Sequence, residues 1–105
     1  MVMEVSDQTF ENEVIKCTSP VLLDLWAPWC RPCLMVEPVV DGLAKKYDGK
    51  VKFCRLNVDE NPRTAVRYRV MSIPTLMFFK GGQVVDTVIG AVPERVLQPK
   101  LDALL

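Results

Sequence analysis

The chain has 105 residues, half of them hydrophobic and a quarter charged, with 13 basic and 13 acidic side chains and no histidine. Residues 1–105 therefore fit one compact soluble domain and leave no room for two. Zero net charge without a Lys/Arg-rich run excludes nucleic acid, whose phosphates need clustered basic residues, and no apolar run approaches the roughly 20 residues that cross a bilayer.

Met1 to Asp7 shows no positive segment followed by an apolar one, so no signal peptide is read there and the cytoplasm is the expected location. Ser6 and Asp7 are good helix-start residues, and Phe10, Val14 and Ile15 follow at helical spacing up to about Cys17. Thr18-Ser19-Pro20 ends that helix. Val21 to Trp26 is a nearly continuous apolar run, the pattern of a parallel strand buried on both faces. Val36, Val39, Val40, Leu43, Ala44 and Tyr47 make a helical stripe, with a kink expected at Pro38. Tyr47-Asp48-Gly49 closes this helix, and Val51 to Val58 reads as the next strand.

Strand, helix and strand in this order form a right-handed crossover between parallel strands. A short helix follows from Asp59-Glu60-Asn61-Pro62 towards Tyr68. Thr75 to Lys80 and Gln83 to Ile89, joined by Gly81-Gly82, form a hairpin. Pro93-Glu94 opens a last helix with Leu97, Leu101 and Leu104 on one face, and Pro99 is expected to bend it or open one hydrogen bond. The class is α/β, a mixed sheet with helices on both faces.

Four cysteines stand at 17, 30, 33 and 54. Two structural disulfides suit small secreted chains that cannot build a core, whereas a domain of this size buries roughly two-thirds of its unfolded surface. A bridge between positions three apart also closes too small a loop to stabilise much. A structural zinc site with Cys17 and Cys54 as further ligands lacks the usual second close pair or histidines. Redox chemistry fits best. Cys30 and Cys33 lie between a strand and a helix, where three-residue spacing brings the two sulfurs together. At a helix start, Cys30 meets unpaired N–H groups and the positive dipole end, which favour its nucleophilic thiolate. Cys33, one turn further in, is the expected resolving thiol, and no metal or organic cofactor is required.

Asp24-Leu25-Trp26-Ala27-Pro28-Trp29-Cys30-Arg31-Pro32-Cys33 resembles the active-site segment of the thioredoxin family. The resemblance continues through Asn57-Val58-Asp59-Glu60-Asn61-Pro62, Ser72-Ile73-Pro74-Thr75 and Gly90-Ala91, and so covers essentially the whole chain. It implies a thioredoxin fold, with a five-stranded mixed β-sheet flanked by four α-helices. The implied activity is protein-disulfide reduction through a mixed disulfide at Cys30. The implied partners are disulfide-containing proteins and a recharging thioredoxin reductase, commonly an NADPH-dependent flavoenzyme. A monomer is expected.

The same resemblance implies the site residues. Pro74 takes the place of the family's cis-proline and would expose the Ile73 backbone to an extended substrate. Trp29, Ile73, Gly90 and Ala91 would line the docking surface, and Trp26 would pack beneath it. Asp24, costly to bury unless paired or protonated, would handle the Cys33 proton. Arg31 and Pro32, between the cysteines, and Arg55, near Asp24, are the expected tuning positions. Arg55 stands where the family commonly has lysine and is expected to hold Asp24 more firmly ionised. Arg31 replaces the usual glycine, and its charge is expected to favour the Cys30 thiolate and give a more oxidising couple. Leu34 and Ser72 also depart from the pattern. Cys17 and Cys54 are expected to pack as small hydrophobes. A disulfide-forming or isomerising relative and an interaction module without turnover are the competing functions. The intact cysteine pair with Pro74 and Asp24 argues against the module.

Overall fold

The computed structural model describes residues 1–105. In chain order the elements are β1 (Val2–Val5), α1 (Glu11–Ile15), β2 (Val21–Trp26), α2 (Arg31–Lys46), β3 (Lys52–Asn57), α3 (Pro62–Arg67), β4 (Thr75–Lys80), β5 (Gln83–Ile89) and α4 (Glu94–Asp102). The strands form one sheet in the order β1-β3-β2-β4-β5. β3 runs parallel to both β1 and β2, β4 is antiparallel to β2, and β5 is antiparallel to β4. The expected fold class is therefore present: five strands, mixed pairing and four helices.

The apolar run Val21 to Trp26 explains the layering. Side chains alternate across a strand, so Leu22 faces one layer while Val21, Leu23 and Leu25 face the other. Leu22, Phe53, Leu76 and Phe78 pack against Val36, Val40 and Leu43 of α2 and Leu97 and Leu101 of α4. On the opposite face Leu23, Leu25, Cys54, Leu56 and Phe79 pack against Phe10 and Val14. There Phe10, Tyr68 and Phe79 meet edge to face at 5.6–6.0 Å, the favoured geometry of aromatic rings.

The structure adds local detail at three places. β1 has no apolar alternation to announce it, since only Val5 is buried. α1 is a five-residue π-helical turn rather than a helix reaching Cys17, and the Lys16 amide closes it by donating to the Glu11 carbonyl at 2.9 Å. α2 and α4 run on through the exposed Pro38 and Pro99, and at Pro99, as expected, the missing N–H opens one helical hydrogen bond whose carbonyl water can reach. The hairpin follows its turn residues. Gly81 and Gly82 both have positive φ, and a Cβ on Gly82 would lie 2.7 Å from the Ile15 carbonyl oxygen.

A remote residue caps α3. Asp7 accepts from the Thr64 amide and hydroxyl and from the Arg63 amide, while its own amide donates to Asn61 Oδ1 at 2.8 Å. This satisfies N–H groups that the Asn61 side chain leaves free at the start of α3.

The packing separates two classes of valine and phenylalanine. Phe78→Ala, at a fully buried position, is expected to cost about 3–5 kcal/mol of unfolding free energy. Val85→Ala, on the exposed face of β5, is expected to change it by less than about 0.5 kcal/mol. Urea titration of the two variants checks the contrast.

Candidate active site

β2 ends at Trp26, and the chain turns through Ala27-Pro28-Trp29 so that the Cys30 amide donates to the Ala27 carbonyl at 3.1 Å. Cys30 then sits as the N-cap of α2 in extended conformation. Its sulfur accepts from the Cys33 amide at 3.2 Å, and the two cysteines are joined in a disulfide. Pro32 occupies the first turn of α2, where a missing N–H removes no helical bond. No acidic side chain lies in that turn, so nothing there offsets the positive end of the helix. Both sulfur-bearing residues are buried, whereas Arg31 between them is exposed and pairs with no acid.

Opposite the pair lies the loop before β4. The Ile73–Pro74 peptide bond is cis, as the resemblance implies. The Cys30 sulfur stands 3.7 Å from the Ile73 carbonyl oxygen, close enough for a thiol there to donate. The Pro74 carbonyl accepts from the Gly90 amide at 2.9 Å, which brings the Gly90-Ala91 segment to the same rim. Gly90 takes φ +103, a conformation that side chains disfavour. Trp29 is 69 % exposed and forms one wall of a shallow recess of about 200 Å³ with Val58, Val70, Met71 and Ile73. Its indole N–H donates to Asp59 at 2.7 Å. Asp59 was not among the expected site residues. Its only sequence signal is its place in Asn57-Val58-Asp59, thirty positions from Trp29.

Asp24 is buried at 2 % exposure in the middle of β2. Register places Arg55 beside it on β3 and Glu4 beyond on β1, so acid, base and acid form one row across the sheet. Arg55 does not bond Asp24. Its guanidinium reaches Glu37 of α2 at 3.1 Å and Glu4 at 3.7 Å, and lies 4.0 Å over the Trp26 ring. Trp26, half-buried as expected beneath the site, donates its indole N–H to Glu4 at 3.2 Å. Asp24 Oδ1 has no hydrogen-bond partner. Desolvation pushes the Asp24 carboxyl up to about 7, outweighing the lowering by Arg55, while Glu37, Glu4 and Asp41 push it further the same way. The expectation that Arg55 favours the ionised form of Asp24 holds for its own contribution, but not for the net shift. Arg55 acts in that direction, but burial and three nearby acids prevail.

Cys17 and Cys54 are unpaired, and both pack in the apolar layer on the other face of the sheet. Burial pushes the Cys54 thiol up to about 11, which keeps it protonated and unreactive. No three of the chain's Cys, Asp and Glu side chains gather into a metal-ligand set.

The raised Asp24 carboxyl makes stability depend on pH. Between its ordinary 3.8 and about 7 the folded protein holds a proton that the unfolded chain has released. Stability is therefore expected to fall from pH 4 to pH 7, by on the order of 4 kcal/mol, and to level off above. Asp24→Asn should remove most of that slope. Urea midpoints of both proteins at pH 4 and pH 8 check it, and equal slopes would refute it.

Comparison with known proteins agrees with the geometry. A family model described as Thioredoxin matches residues 1–103. Thioredoxin 1 of Nostoc sp. is 56% identical over 94% of this chain and 92% of its own length. Thioredoxin of Synechocystis sp. is 56% identical over 97% of this chain and 95% of its own length. Thioredoxin M2, chloroplastic, of Arabidopsis thaliana is 51% identical over 99% of this chain and 56% of its own length. With the paired Cys30 and Cys33 at a helix start, these matches establish that the chain belongs to the thioredoxin family and is a thiol–disulfide oxidoreductase.

Proposed function

We propose that this chain reduces disulfides of protein substrates, as one thioredoxin domain over residues 1–105 acting as a monomer, with Cys30 as nucleophile and Cys33 as resolving thiol. The observation that carries this is the Cys30 sulfur at the first turn of α2, 3.7 Å from the Ile73 carbonyl. In the reduced protein the Cys30 thiolate attacks one sulfur of a substrate disulfide. A mixed disulfide forms and the first substrate thiolate leaves. The Cys33 thiol passes its proton to the Asp24 carboxylate, and its sulfur then attacks Cys30. The Cys30–Cys33 bond forms, the second substrate sulfur leaves as a thiolate that takes up a proton from Asp24 or water, and two electrons have passed to the substrate.

The surroundings suit an extended peptide. Ile73 lies outside the strands, and its amide donates to no acceptor within the protein. A substrate strand can therefore pair with it beside the nucleophile, over the apolar wall of Trp29, Ile73, Gly90 and Ala91. The disulfide is the only redox group the cycle requires. A thioredoxin reductase, a donor of two electrons and two protons, would restore the dithiol. The two unpaired cysteines suit a reducing compartment such as the cytoplasm.

Insulin-disulfide reduction with dithiothreitol tests the assignment. The native protein is expected to accelerate it, and Cys33→Ser to lose turnover and accumulate a mixed disulfide at Cys30. Turnover of Cys33→Ser at the native rate would refute the resolving role.

Arg31 and Pro32 occupy the turn between the sulfurs, and the exposed Arg31 charge favours the thiolate of Cys30. Arg31→Gly is expected to make the protein a stronger reductant, shifting its equilibrium with glutathione severalfold. An equal or more oxidising variant would refute this role.

A further inference from the structure

Arg55 stands in register between two acids, Glu4 and Asp24, on neighbouring strands, yet pairs with only one of them. The neglected acid is the buried one, whose Oδ1 has no partner, while Arg55 Nε also lacks a hydrogen bond. A carboxylate in a low-dielectric site attracts a guanidinium more strongly than one in water, so something must hold Arg55 away. Three contacts do so: the Glu37 bond at 3.1 Å, the Glu4 ion pair at 3.7 Å, and the Trp26 ring at 4.0 Å. Glu4 is itself pinned by the Trp26 indole N–H. Arginine does not release its proton, so this cation acts only through where it is placed.

We propose that Glu37, assisted by Glu4, is a positioning residue: it holds the Arg55 guanidinium on Trp26 and off the Asp24 carboxyl, leaving that carboxyl free to take the Cys33 proton. The inference rests on the role of Asp24 proposed above. The charged groups around Asp24 are Glu4 from β1, Arg55 from β3, and Glu37 and Asp41 from α2, whereas β4 presents Leu76. Glu37 therefore acts in two ways. It raises the Asp24 midpoint through space, and it diverts the one cation able to lower it.

A double-mutant cycle separates the two effects. The Asp24 carboxyl is titrated by carbon-13 NMR in the reduced native protein, Glu37→Gln, Arg55→Gln and the double variant. Glu37→Gln is expected to lower the midpoint by about one pH unit, a tenfold change in the protonation equilibrium. With Arg55→Gln already present, the same substitution should lower it severalfold less, because no guanidinium remains to turn inward. Equal drops in both backgrounds, or no drop, would overturn the positioning role. The pH profile for resolution of a mixed disulfide with a small aromatic thiol is read in parallel and should move with the Asp24 midpoint. A profile unmoved by both Glu37→Gln and Asp24→Asn would instead overturn the role of Asp24 itself.

Discussion

β2 is hydrogen-bonded along both edges and buried on both faces, and the site depends on that confinement. A strand with neighbours on four sides cannot shift its register without moving every side chain to the wrong layer. Its last residue, Trp26, is therefore a fixed point, and Cys30 follows four positions later with little freedom. The first turn of α2 then sets the two sulfurs by helical spacing alone. The loop at Ile73 is held in the same frame because β4, which follows it, is the other neighbour of β2. The proposed nucleophile, resolving thiol and substrate-pairing backbone thus all hang from one strand and its two partners.

The same confinement creates the electrostatic tension. Placing a carboxyl inside such a strand removes it from water, and desolvation drives its pKa upward. A stability optimum would pair that carboxyl with the adjacent Arg55 or replace it with an apolar side chain. The chain does neither, and Arg55 is engaged elsewhere by Glu37, Glu4 and the Trp26 ring. An unpaired buried acid that titrates near neutral pH is poorly suited to stability and well suited to moving a proton.

The sequence showed the cysteine pair, the buried strand and the hairpin because each has a local signature: two-residue spacing, an unbroken apolar run, adjacent glycines. β1 has none, with Val5 alone fully buried, and it exists because β3 offers it an edge. The π-helical form of α1 was equally hidden, since apolar spacing distinguishes a helix from a strand but not one helical pitch from another over five residues. Asp59 and Glu37 were missed for a different reason. Each meets its partner across a long stretch of chain, Trp29 for the first and Arg55 for the second, and exposed acids give no pattern that predicts such a meeting. The closeness of Arg55 to Asp24 and the direction of its pull were legible from the family pattern, but the net shift was not. The sign followed from how deeply the carboxyl is buried and which acids surround it, and both are properties of the assembled sheet.

Two charged residues that depart from the family's usual pattern, Arg31 and Arg55, consequently address different halves of the proposed cycle. Arg31 is exposed on the turn and acts on Cys30, so its influence is screened by water and salt and bears on how readily the reduced form persists. Arg55 lies on the strand beside Asp24, mostly shielded, and in the proposed cycle bears through Asp24 on the proton of Cys33. The first bears on the equilibrium between dithiol and disulfide, the second on the pH at which the mixed disulfide is released. The two side chains share no hydrogen-bonding or ion-pair partner, so their effects should combine additively. Reducing strength and the pH dependence of release can then be set independently on one fold. The division follows from geometry: Arg31 stands on the exposed turn between the cysteines, and Arg55 on the strand beside Asp24.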